Sequence, residues 1–343
     1  MSPAEQLKGL TLKNGWTVVD VALRKPNATG GFFSQGYIAE DQDGRRGFLK
    51  AMDYMKALQS PNTAETLLAM TNAYVFEKRV CEKCAHLSRV ARAIDGGSIH
   101  VNPANPFSKV EYLIFELASG DVRAHLDLQA ILDVVFVLRT LHHVATGLAQ
   151  LHRADIAHQD LKPSNVLVFD RFEGSKICDL GRAWDRNIPG PHDALKIAGD
   201  LTYAPLELMY GEVSTDHRMR RFGCDLYHLG SLIIFLFARV HANTLVMDNL
   251  SAEHRPFNWG GTYSEALPYT QAAFEIALQK FAEHVPGFLR AELRRVVGEL
   301  CNPDPSRRGH PENRGARQFS LQRYISQFDR LSHHARRELA TMR

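Results

Sequence analysis

In the first third of the chain, apolar positions alternate with polar ones; in the remainder they recur every three or four residues. Residues 16–23 form a β-branched, apolar run. Residues 37–40 and 48–52 flank Asp43-Gly44, a dipeptide suited to a tight hairpin turn. A glycine-bearing loop, residues 26–36, separates the first two of these strands. A helical period follows over about 63–87, with a weak point at Thr71-Asn72. Residues 112–117 make another apolar strand, carrying Glu116 near its end.

Beyond that strand the pattern predicts helices over 126–153, 224–240, 269–283, 286–300 and 319–339, with an irregular insertion over 252–269 around Trp259. In the last helix Leu321, Tyr324, Ile325, Phe328, Leu331 and Leu339 define one apolar face, with Arg and His opposite. That basic face reads as solvated and leaves room for a regulatory partner on the helical lobe. Strands first and helices afterwards predict an α+β protein with two segregated lobes.

Composition narrows the class without naming a chemistry. A length of 343 residues suits one large domain or two, and 45% apolar with 23% charged residues excludes a largely disordered chain. A formal net charge of +3 is too small to argue for nucleic acid or an anionic membrane. The most apolar run, residues 226–240, contains His228 and Arg239 and falls short of the ~20 residues a bilayer demands, so it reads as a buried core helix, with no membrane insertion. Five cysteines and an N-terminus without an apolar stretch set a cytoplasmic, reducing location as the expectation.

The informative stretch is Ala157-His158-Gln159-Asp160-Leu161-Lys162-Pro163-Ser164-Asn165-Val166-Leu167-Val168, followed by Cys178-Asp179-Leu180-Gly181. A carboxylate, an ammonium two residues on, an amide five residues on and a second carboxylate stand at fixed offsets between apolar runs. This resembles the catalytic core of the eukaryotic-type protein kinase family, with its H-R-D-L-K-x-x-N and D-F-G elements in that order. Further marks follow in sequence. Pro205-Leu206-Glu207 resembles the end of the activation segment, Asp225 the buried aspartate behind the catalytic loop, and Arg308 the partner of Glu207. Upstream, Lys50 fits the strand lysine and Glu77 the helix glutamate, with Glu82 as rival; Glu116 to Ala118 fit the hinge, with Phe115 as gatekeeper.

The resemblance implies a bilobal kinase fold, with residues 1–117 as the strand-rich nucleotide lobe and 118–343 as the helical lobe. It implies ATP and Mg²⁺ as cofactors and a protein substrate with a Ser or Thr acceptor, the lysine at Lys162 being the arrangement of the Ser/Thr branch. Asp160 would take the hydroxyl proton, Lys162 would reach the transferred phosphate, and Asn165 with Asp179 would hold Mg²⁺. Lys50, braced by Glu77, would meet the α/β-phosphates. Gly30 and Gly31 would cover the phosphates, while Glu116, Ala118 and Leu167 would border the adenine. His158, Gly181, Glu207, Asp225 and Arg308 are structural in this reading.

Five departures stand out. Gln159 replaces the arginine that binds activation-segment phosphate in the family, and no Ser, Thr or Tyr lies between Leu180 and Leu201. Control by activation-segment phosphorylation is therefore not expected. Asp200 holds the place of a threonine, Phe48 the place of the alanine that roofs the adenine, and the glycine loop lacks the G-x-G-x-x-G spacing. These features keep two other readings open: a scaffold that binds nucleotide and partners without transfer, and a small-molecule phosphotransferase. Cys81 and Cys84, one helical turn apart, read as packed core thiols rather than a zinc site.

Overall fold

The structure is a computed structural model of the chain that describes residues 1–22, 33–127, 132–169, 174–313 and 315–341. Gly30 and Gly31 lie outside the described residues. The strand-rich region holds β1 (Thr17–Val21), β2 (Ser34–Glu40) and β3 (Arg46–Met52), then helix α1 (Thr63–Cys84), β4 (Ala93–His100) and β5 (Lys109–Glu116). The sheet order is β1-β2-β3-β5-β4, antiparallel throughout. Asp41 closes the β2–β3 turn: its carboxylate accepts the N–H groups of Asp43 and Arg45, and Gly44 takes the positive φ of +78°.

Period-two alternation decides what the sheet buries. Leu49 and Ala51 of β3 pack with Tyr37, Ala39, Tyr112 and Ile114 on one face. Phe48 and Lys50 share the other face. Helix α1 is continuous through Thr71, whose hydroxyl donates to the Leu67 carbonyl; the expected weak point at Thr71-Asn72 does not interrupt it. Sequence reading missed β4, because Gly96-Gly97 dilutes its apolar pattern. At Gly96 the glycine is a packing requirement: a Cβ there would stand 2.8 Å from Leu113 Cδ2.

The helical region follows as β6 (Gly120–Asp121), α2 (Val122–Asp127), α3 (Val134–Arg153), β7 (Ile156–Ala157), β8 (Val166–Val168), β9 (Ser175–Ile177) and β10 (Trp184–Asp185). Helices α4 (Leu206–Met209), α5 (His217–Ala238), α6 (Ala242–Met247), α7 (Tyr263–Glu283), α8 (Gly287–Leu300) and α9 (Gln322–Thr341) complete it. The single helix expected over 126–153 is two: α3 starts only after Asp133, whose carboxylate caps it by accepting the Phe136 N–H. The insertion expected over 252–269 ends early, since Thr262 and Glu265 form a reciprocal capping box that starts α7 at Tyr263. Pro268, which disguises that start, lies inside the helix.

Helix α5 is the axis of the core. Apart from its first turn almost every residue is buried, against α3, α6, α7 and α8. By length and apolarity α3 and α5 each satisfy the requirement for a membrane span, but α5 is enclosed on all sides by the fold, as a core helix is. Cys81 and Cys84 pack in the same core.

Candidate active site

The catalytic stretch is a loop between β7 and β8, held from behind by α5. Asp225, fully buried, accepts the backbone N–H of His158 on Oδ2 (2.8 Å) and that of Gln159 on Oδ1 (2.8 Å), with His152 Nε2 also 2.9 Å from Oδ2. Burial pushes this carboxyl's pKa up, but the hydrogen bond and charge of His152 outweigh that and hold it below the ordinary value. One side chain thus fixes two consecutive amides of the loop. Gln159 adopts the left-handed conformation at φ +65°, a strained choice for glutamine that these bonds sustain.

His158 links this loop to the second acidic stretch. Its Nε2 lies 2.9 Å from the Cys178 carbonyl, so Nε2 carries the proton and Nδ1 accepts the Asp160 N–H (3.3 Å). The imidazole is thus a buried brace. Asp179 follows at φ +63°, also left-handed, which aims its carboxylate across the cleft. Gly181 lies beneath Glu77; a Cβ there would be 3.4 Å from Glu77 Oε2, an ordinary contact.

Asp160, Lys162 and Asn165 converge. Lys162 Nζ stands 3.1 Å from Asp160 Oδ2, while Asn165 Nδ2 donates to the Asp160 carbonyl (2.7 Å) and to Oδ2 (3.2 Å). The Asp200 N–H donates to Asp160 Oδ1 at 2.8 Å. Burial raises the Asp160 pKa, with Lys162 opposing. Asp200, where the family carries threonine, places its carboxylate 3.5 Å from Lys162 Nζ, so two carboxylates share one ammonium. Gly199 is obligatory at this point, since a Cβ would come within 2.4 Å of the Gln159 carbonyl and 2.7 Å of Asp160 Oδ1.

Across the cleft, Lys50 Nζ bonds both oxygens of Glu77 (2.7 and 2.9 Å) and Asp179 Oδ1 (3.1 Å). Burial works against the ammonium, but the carboxylates of Asp179 and Glu77 more than compensate and raise the lysine's pKa. The same lysine lowers that of Asp179. Of the two candidate glutamates in α1, Glu77 is buried and reaches Lys50; Glu82 is exposed. Phe48 stands opposite Phe115 in the β3–β5 ladder, on the Lys50 face. Its ring lies against β2, 3.0 Å from where a Cβ on Gly36 would be.

Glu116 differs from expectation in one respect. Its carboxylate is taken by Lys176 (2.7 Å) and by the Arg92 N–H (2.8 Å), and its own N–H donates to the Arg92 carbonyl (3.1 Å), so Glu116 ties the sheet to β9. Leu167 pairs with Lys176 in the β8–β9 ladder and is half-buried on the cleft floor. Glu207 and Arg308 meet in a buried, two-pronged ion pair (2.7 and 2.8 Å).

The donor set suits Mg²⁺. Asn165 spends its amide N–H groups on Asp160, which leaves its side-chain carbonyl oxygen, with the Asp179 carboxylate, as the hard ligands that would hold Mg²⁺. Among the described residues no cluster of three His, Cys, Asp or Glu side chains suits a metal. Two oxygen ligands are what Mg²⁺ uses when substrate phosphates and water complete its shell.

Sequence reading overlooked three contributors. Asn243 of α6 donates to the carbonyls of Thr202 (2.9 Å) and Ala204 (2.9 Å) and accepts the Tyr227 hydroxyl (2.6 Å), which fixes the segment before Glu207. Lys83 of α1 pairs with buried Asp185 (2.7 Å). Arg221 of α5 contacts Gln159 and Asp193. None carries a local signal, since each acts on residues far away in sequence.

A family model described as protein kinase domain matches residues 101–319, more than half of the chain. Curated relatives include a calcium and calcium/calmodulin-dependent serine/threonine-protein kinase of Medicago truncatula, 30% identical over 147 residues, or 40% of this chain and 28% of the relative. An Aurora/IPL1-related protein kinase 2 of Caenorhabditis briggsae is 26% identical over 202 residues, 59% of this chain and 56% of the relative. Cyclin-dependent kinase 14 of Xenopus tropicalis is 28% identical over 187 residues, 54% of this chain and 42% of the relative. In each case the matched stretch falls short of two thirds of the relative's length.

Proposed function

The chain belongs to the protein kinase family, and we propose that it transfers the γ-phosphate of ATP, with Mg²⁺, to Ser or Thr hydroxyls of protein substrates, without needing a phosphate on its own activation segment. The convergence of Asp160, Lys162 and Asn165 opposite the Lys50–Glu77–Asp179 chain carries this reading.

The chemistry follows from the positions. Transfer of a phosphoryl group passes through a loose transition state with charge on its equatorial oxygens, so placement and electrostatics dominate. Mg²⁺, held by Asp179 and Asn165, would neutralise phosphate charge. Asp160 is held by three donors from Lys162, Asn165 and the Asp200 amide, which fixes its carboxylate to receive the acceptor proton. Lys162 lies beside it to meet the transferred phosphate, and Asp200 keeps that ammonium tethered when no phosphate is there. Lys50 is charged and fixed by Glu77, ready for the α/β-phosphates. The Gln159 amide bonds the Arg221 carbonyl and Asp225 of α5 and brings no positive charge to bind a phosphate, which supports independence from phosphate on the activation segment. The five unpaired cysteines support a reducing, cytoplasmic setting. On α9 Arg323 and Arg330 are already engaged with Glu312 and Glu292, so a regulatory partner there would meet a partly neutralised face.

The test is incubation of the purified chain with Mg²⁺ and γ-labelled ATP, beside Asp160→Asn. The expected result is label on Ser or Thr of protein substrates, reduced about 10²–10⁴-fold in the variant, the usual worth of a positioned base. Nucleotide binding without transfer would instead support a scaffold, and label in a soluble product a small-molecule phosphotransferase.

A further inference from the structure

The activation segment contains no acceptor hydroxyl between Leu180 and Leu201, yet it has a definite path. The bonds that hold that path come from charged groups of neighbouring helices. Arg221, buried one turn before Asp225 on α5, divides its guanidinium between two elements. Nη1 donates to Gln159 Oε1 (3.1 Å) in the catalytic loop, and Nη2 donates to the Asp193 carbonyl (2.7 Å) in the activation segment. Gln159 returns the contact, its Nε2 donating to the Arg221 carbonyl at 2.9 Å. The guanidinium carbon lies 5.9 Å from the centre of the Trp184 ring, at the start of the same segment.

The neighbouring contacts act in the same direction. Arg220 Nη2 donates to the carbonyls of Leu195 (2.8 Å) and Asp193 (3.3 Å). Asp193 in turn closes its own turn, accepting the Gly190 N–H on Oδ2 (2.8 Å). Gly190 backs onto Phe76 of α1, where a Cβ would come within 3.0 Å of the ring. Lys83 secures the segment's first strand through Asp185.

We propose that Arg221 is a positioning residue that joins the activation segment to the catalytic loop through the Asp193 carbonyl and Gln159, so that fixed guanidinium bonds order the segment without phosphate. The inference rests on the protein kinase reading for its kinetic consequence, but the joint itself is independent of that reading. Charge-assisted hydrogen bonds from a planar, pre-organised fork are the strong kind, and a buried fork has no water to compete for it. Gln159 is the matching change: an amide offers Arg221 an acceptor, where an arginine would repel it.

The experiment uses the full chain with Arg221→Met, Arg221→Lys, Gln159→Leu and the double variant Gln159→Leu/Arg221→Met. Hydrogen–deuterium exchange over residues 188–197 is read together with separate kinetic constants for the protein acceptor and for ATP. Arg221→Met is expected to speed exchange in that segment and raise the acceptor KM, each about tenfold, the scale of a lost charged hydrogen bond, while the KM for ATP stays within about twofold. Arg221→Lys, which keeps one donor, is expected to recover part of the protection. The double variant is expected to cost no more than the larger single one, because both residues act through one joint.

Unchanged exchange in Arg221→Met, or in Gln159→Leu and Arg221→Lys should the methionine variant not fold, would overturn the proposal. So would additive effects in the double variant. A wild-type chain that transfers no phosphate would defeat the functional reading alone, since the exchange comparison still decides the role of Arg221.

Discussion

The floor and the roof of the cleft are built on different principles. Under the cleft, the catalytic loop hangs on Asp225, the segment before Glu207 hangs on Asn243, and Glu207 itself is locked to a fully buried Arg308. Asp225, Asn243, Glu207 and Arg308 are all buried, and each has a named partner. Above the cleft, Lys50 pairs with Glu77, and Phe48 stands opposite Phe115 in the β3–β5 ladder on the same face as Lys50. The contrast teaches where tolerance lies. A buried polar network is costly to break at any point, whereas a half-exposed roof accommodates change at modest cost.

The sharpest way to break the contrast is Asp225→Ala. It would leave the His158 and Gln159 N–H groups buried without an acceptor, and a loss of about 3–5 kcal/mol is expected, with phosphoryl transfer abolished. Urea titration of variant and parent measures it; equal midpoints would mean the loop does not depend on this anchor. Next comes Arg308→Met, also expected to cost about 3–5 kcal/mol because Glu207 is stranded, with Arg308→Met/Glu207→Leu regaining most of it, as apolar replacement of buried pairs often does. No recovery in the double variant would assign the loss to packing instead of charge.

On the roof, Lys50→Met is expected to lower transfer about 10²–10³-fold while costing only about 1–2 kcal/mol in stability, since Glu77 can protonate to shed its unpaired charge. Thermal melts and initial rates on the same preparation check both halves; a stability loss as large as that of Asp225→Ala would erase the distinction between floor and roof. The smallest effect is expected from Phe48→Ala. Trimming the ring beneath Gly36 should change nucleotide affinity less than about tenfold, in the direction of tighter binding, by the scale of one side chain's contacts. Calorimetry with ATP reads it, and markedly weaker binding would mean that the ring is itself a nucleotide contact.

The same contrast governs how much of the molecule was legible in the sequence. Part of the floor is encoded locally: Asp160, Lys162 and Asn165 sit within six residues of one another and α5 announces itself by a long apolar period, whereas Asn243, which acts on Thr202 and Ala204, left no local mark. The family match likewise begins at residue 101, past β1 to β4. The roof is encoded at a distance. Lys50 meets Glu77 across 27 residues and Asp179 across 129, so neither partner can be read from spacing. Strand β4 was hidden by Gly96-Gly97, whose small size serves Leu113 on the next strand rather than the local pattern. Arg221 was hidden for a similar reason: on a helix that is apolar along most of its length, one arginine looks like an intrusion until Gln159 and Asp193 are seen against it.

In the proposed reading, bonds within the fold order the site and no added phosphate is needed. Turnover of the purified chain, measured before and after exhaustive phosphatase treatment with mass spectrometry of Thr202 and Tyr203, tests it directly. Rates equal within about twofold are expected, because the segment's anchors are guanidinium and carboxylate groups that phosphatase leaves intact. An order-of-magnitude loss on treatment, restored by phosphate on exposed Thr202, would contradict it.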